Sequence, residues 1–145
     1  MTKTSDAIAH LHTRLIDSAD GYRQALETSD SHAHAALFRE MIERRERNAA
    51  ELRAYLNDRG MDLDDDGSIL AAAHRVFLQL KSMLGGDEKA VLDEVVRGEK
   101  ALLDAYNDAI EPATLETPEF DFLNRQYRSL SEKVGELEAM QARAA

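Results

Sequence analysis

A chain of 145 residues is long enough to bury one core unaided, and the absence of cysteine removes disulfides and thiolate metal sites. The formal charge of -10 repels phosphate backbones and no basic, aromatic-bearing stripe offsets it, so no nucleic-acid partner is expected. Two prolines, no tryptophan and abundant Ala, Leu, Glu and Arg predict an all-α chain forming one domain over residues 1–145.

Near the start, Asp6, His10, His12, Asp17 and Asp20 interrupt any apolar run, so neither a leader nor a membrane span is read there and a cytoplasmic location is expected. The first predicted helix runs from about Ser5 to Thr28, with Ile8, Leu11, Leu15, Ala19, Tyr22 and Leu26 in a heptad-like stripe. Polar residues 28–31 make a turn. A second helix is predicted from about His32 to Arg59, stopped by Gly60, with Phe38, Ile42, Ala49, Leu52 and Leu56 facing inward. The two match in length, which predicts an antiparallel hairpin. A third long helix starts near Asp87 as N-cap and stops before Pro112, carrying Val91, Val95, Gly98, Leu102, Ala105 and Ala109 on one face. Gly98 is read there as a point of close packing. The last helix opens on Thr117-Pro118-Glu119, a cap, a proline at the first helical position and an acid facing the positive end of the dipole. Its inward stripe is Leu123, Tyr127, Leu130, Val134 and Leu137.

The stretch from Gly60 to Gly86 is far longer than the roughly 2 to 8 residues that join antiparallel neighbours. Within it, Ile69, Ala73, Val76, Phe77, Leu80 and Leu84 recur at helical spacing, which predicts an extra helix over 68–83. A connection of this length lets the second and third long helices run in the same direction, the ferritin-like four-helix bundle with one long crossover.

Leu15-Ile16-Asp17 and Asp20-Gly21-Tyr22, then Gly67-Ser68, His74-Arg75 and Leu80-Lys81, then Arg97-Gly98-Glu99 with Tyr106, and last Arg125-Gln126-Tyr127, occur in an order and spacing that resemble a known family. That family consists of small bacterial proteins carrying a ferritin-like four-helix-bundle domain of unknown function. The resemblance implies a fold and little chemistry. Ferritin-like dimetal sites draw a Glu from each of two helices and Glu-x-x-His from each of the other two. This chain contains no Glu-x-x-His, and Val134 stands where the last helix would offer a ligand.

The candidate metal ligands are Asp20, Glu43, Glu46, His74, Glu94 and Glu99, with Gln126 or Tyr127 from the last helix, an oxygen and nitrogen set of the kind iron or manganese accepts. The competing reading pairs these acids with Arg44, Arg45, Arg47 and Arg97 on solvated flanks. Asp62, Asp64, Asp66 and Gly67 open like a calcium loop, but position twelve is Ala73 where a bidentate Glu is required. His10, His12, His32 and His34 form two pairs two residues apart, which point in different directions on a helix and read as surface groups. No serine sits in a nucleophile elbow, and Gly85-Gly86 lacks the Lys and Ser/Thr of a phosphate loop. Tyr22, Tyr106 and Tyr127 lie on or beside inward stripes, so their hydroxyls need buried partners, with Asp20, Glu99 and His74 available.

No catalytic or cofactor-binding residue emerges. The expectation is a non-enzymatic, stress-associated or protein-interaction bundle without a cofactor. Its partner is another protein or a second copy, with Ala33, Ala35, Ala36, Ala49 and Ala50 allowing close approach in a homodimer. The alternative is a carboxylate-bridged dimetal protein holding iron or manganese for oxidase or storage chemistry.

Overall fold

The computed structural model describes residues 3–28, 34–61, 88–110 and 118–144. Its elements are α1 (Lys3–Thr28), α2 (Ala35–Asp58), α3 (Glu88–Ile110), a 3-10 turn (Pro118–Phe120) and α4 (Asp121–Ala144). Among the described residues the architecture is all-α, a four-helix bundle. The ends agree with the sequence reading to within a few residues. The calcium-like loop, the helix expected over 68–83 and its His74 lie outside the described residues.

The end of α2 shows how local sequence stops a helix. Gly60 takes φ +78, a left-handed conformation that costs a residue with a Cβ about 1–2 kcal/mol. Its N–H donates to the Asn57 carbonyl at 3.0 Å and the Met61 N–H donates to Leu56 at 3.0 Å, the Schellman arrangement that satisfies the last open carbonyls. Met61 then packs against the core. At the other end of the bundle's last helix, Pro118 opens the 3-10 turn, and Glu119 and Asp121 place negative charge at the start of α4.

The core falls into two apolar clusters that set the direction of every helix. One unites Ile8, Leu11 and Leu15 with Leu52 and Leu56, Leu102 and Ala109, and Leu123 and Leu130. The other unites Tyr22 and Ala25 with Phe38 and Met41, Val91 and Val95, and Leu137. Thus α1 and α4 run from the first cluster to the second, while α2 and α3 run from the second to the first. The backbones approach most closely within α1/α2 and α3/α4. The α2/α4 seam is bridged by long side chains, with Lys133 on Glu40 at 2.7 Å, Arg125 on Glu51 at 2.6 Å and Arg44 donating to the Ser129 hydroxyl at 2.9 Å. Pairs that keep one partner in solvent, as these do, contribute about 0–1 kcal/mol each; the apolar stripes, at about 1.5–3 kcal/mol for each fully buried Leu or Phe, hold the bundle together.

The expected stripes hold for Ile8, Leu11, Leu15, Ala19, Tyr22, Phe38, Ala49, Leu52, Leu56, Val91, Val95, Leu102, Leu123, Leu130, Val134 and Leu137, all buried. Leu26, Ile42 and Tyr127 are only half-buried. Gly98 corrects the reading: it is exposed, and a Cβ built on it meets nothing within 4 Å. The inward position beside it belongs to Glu99.

Candidate functional site

On α2, Arg45 stands seven residues from Phe38 and seven from Leu52, both fully buried, and two helical turns bring it to the same face. On α3, Glu99 stands midway in the same manner between Leu92 and Tyr106. Arg45 and Glu99 are each only 1% exposed, and they meet as a direct ion pair, the Arg45 Nη2 donating to Glu99 Oε1. The second carboxylate oxygen accepts a hydrogen bond of 3.1 Å from the Tyr22 hydroxyl on α1. The Arg45 Nε donates to the Ser18 hydroxyl at 3.3 Å. One buried acid, one buried base and two hydroxyls from three helices thereby satisfy one another.

A second polar group lies toward α4. The Tyr106 hydroxyl donates to Gln126 Oε1 at 2.7 Å, and Gln126 Nε2 donates to the Asn48 carbonyl at 3.3 Å and to Glu51 Oε1 at 3.0 Å. Together the two groups cross from each hairpin to the other.

The electrostatics follow from burial and charge. Burial, reinforced by the Glu99 carboxylate, holds the Tyr22 hydroxyl well above the ordinary tyrosine range. Burial raises Tyr106 likewise, with the nearby Arg45 charge opposing it in part. For Arg45 burial works against the charge, but the adjacent Glu99 outweighs it and the guanidinium is held more firmly protonated than usual. The pair is a direct contact between two side chains that are almost wholly withdrawn from solvent.

The acids named as candidate ligands do not converge. Asp20 pairs with Arg23 at 2.7 Å, and Arg23 also engages Glu46, at a solvated α1/α2 edge. Glu43 faces Arg47 at 4.0 Å on the exposed side of α2. Glu94 pairs with Arg97 three residues on. Of the six, Glu99 alone is placed by the described residues in the core. The flank reading with arginine partners describes Glu43 and Glu46; Glu94 has its arginine partner but is only 13% exposed, and the reading fails at Arg45, which is buried. Gln126 is buried and polar as described, and Tyr127 is half-buried against the core. His12 corrects the surface reading, since it is buried beside the α1 stripe. Asp17 is buried too, but it lies about 200° round the helix from Leu15, away from Glu99. Among the described residues no three His, Asp or Glu side chains form a group fit to hold a metal ion.

Residues 3–112 match a family described as a domain of unknown function, DUF2383. The chain belongs to that family. The DUF2383 match takes in Ser18, Tyr22, Arg45, Glu99 and Tyr106 and ends before Gln126, yet α4 shares the core through Leu123, Leu130 and Val134. Comparison with curated proteins and with solved structures finds no match.

Sequence reasoning missed Arg45 as a core residue because charges are assigned outward by default. The signal was present: the seven-residue spacing from Phe38 to Leu52 passes through Arg45, and that from Leu92 to Tyr106 passes through Glu99. Opposite charges on inward positions of two helices read as a buried pair.

Proposed function

We propose that this chain is a non-enzymatic, ferritin-like helical bundle that works by presenting its outer faces to another protein chain. The ferritin-like reading draws support from the shared direction of α2 and α3 and of α1 and α4, with the long stretch 62–87 between the hairpins. The observation that carries the functional reading is the Arg45–Glu99 pair. A ferritin-like dimetal centre needs several converging carboxylates and imidazoles. Among the described residues the one fully buried glutamate, Glu99, already has its counter-charge, and a guanidinium has no lone pair to give a metal and repels a second cation. The donor set of the described residues therefore does not fit two metal ions.

The partner is a second copy, seated on the outer face of α2. Ala35 and Ala49 face the chain's own core, while Ala36, Ala50 and Ala54 are exposed on one side of the helix and admit close approach. Light scattering at high micromolar protein is expected to report a dimer that Ala50→Glu weakens; a strict monomer removes the second copy as partner. Melting with Mn(II), or with Fe(II) under anaerobic conditions, is expected to leave the midpoint unchanged. A midpoint that rises and saturates at stoichiometric metal favours the dimetal reading instead.

A further inference from the structure

We infer that the Arg45–Glu99 pair, with Tyr22, is a register key: it selects the one way in which the α3/α4 hairpin seats on the α1/α2 hairpin. The leucine stripe of α4 does not fix its own register. On α4 the inward Leu123, Leu130 and Leu137 recur every seven residues, so sliding that helix by one heptad places leucine on leucine. The short stretches 29–33 and 111–117 limit slippage within each hairpin, but 62–87 is too long to dictate register between them by its length. The polar residues break the degeneracy. A one-heptad slip would set Arg45 against Leu92 or Tyr106 and Glu99 against Phe38 or Leu52, leaving both charges buried and apart. Such a device specifies pairing without adding net stability, as single polar residues do in helical seams.

The test uses the full chain. Because the sequence has no cysteine, His10→Cys on α1 and Ala101→Cys on α3, both exposed and off the α2 face proposed to seat a second copy, become the only spin-labelling sites, and pulsed electron resonance on labelled chain diluted with unlabelled chain reads the distance between hairpins. With Arg45 and Glu99 intact, one narrow distribution is expected. In Arg45→Met/Glu99→Leu the helix content and melting midpoint are expected to hold or rise, while the distance splits into populations offset along the helices by about 10 Å, seven residues of rise. Backbone amide spectra of the unlabelled double variant are expected to show more signals than residues. A single native distance and a single set of signals would overturn the inference. So would a double variant that fails to fold, since the pair is assigned selection and no net stability.

Discussion

Removing one member of a buried pair differs from removing both. Arg45→Met leaves Glu99 buried without its partner, and the expected loss is about 3–5 kcal/mol by urea denaturation, whereas the paired replacement costs little or nothing. Equal losses in the single and double variants would mean that the two side chains do not interact as placed. Tyr22 and Tyr106 hold their protons more tightly folded than unfolded. The stability they contribute is whole below the unfolded tyrosine value of about 10 and declines as pH rises above it, because the unfolded chain then gives up protons that the folded chain keeps. In an alkaline titration followed by tyrosinate absorbance, two of the four tyrosines are expected to ionise only as helicity is lost, and Tyr22→Phe is expected to remove one of them. Early ionisation of all four would contradict the burial. Gly98 faces open space, so Gly98→Ala is expected to stabilise by about 1 kcal/mol through helix propensity. At this scale the sequence was legible where a stripe was purely apolar and less so where it contained a charge: positions 98 and 99 lie about 100° apart round the helix, and the apolar stripe was drawn through Gly98 because it stands three residues from Val95 and four from Leu102.

Element ends were the most legible part of the chain, because their chemistry is local. Gly60 as a stop and Pro118 as a start need only backbone geometry, and both appear as read. Gly60→Ala is expected to cost about 1–2 kcal/mol, since φ there is positive while no neighbour obstructs a Cβ. The last helix illustrates the opposite situation. It lies wholly beyond the DUF2383 match, yet Phe120, Leu123, Leu130, Val134 and Leu137 are buried against the other three helices. At about 1.5–3 kcal/mol each, these five side chains amount to roughly the whole stability of a typical domain, about 5–15 kcal/mol. A chain ending at residue 112 is therefore expected to show no cooperative thermal transition by circular dichroism, and a sharp melt would mean that the matched segment folds without α4.

At the scale of the whole molecule, topology followed from length and the tyrosine partner of Glu99 from burial, but its arginine partner did not. The long stretch between the second and third predicted helices pointed to α2 and α3 running the same way, and the two core clusters show that they do. Which acids lie near one another depends on the rotation of each helix about its axis. A difference of one residue moves a side chain by about 100°, so Asp20, Glu43, Glu46 and Glu94 could be named as a set and still not gather round one point: Asp20 and Glu46 share Arg23, while Glu43 and Glu94 pair with Arg47 and Arg97. We propose that the bundle holds Glu99 with its own Arg45 in place of a metal. Elemental analysis of the purified protein, produced in medium supplied with both iron and manganese, tests this most directly. The expected result is metal far below one ion per chain with a full-height cooperative melt. Two ions per chain, lost together with stability in Glu94→Ala or Glu99→Ala, would contradict it.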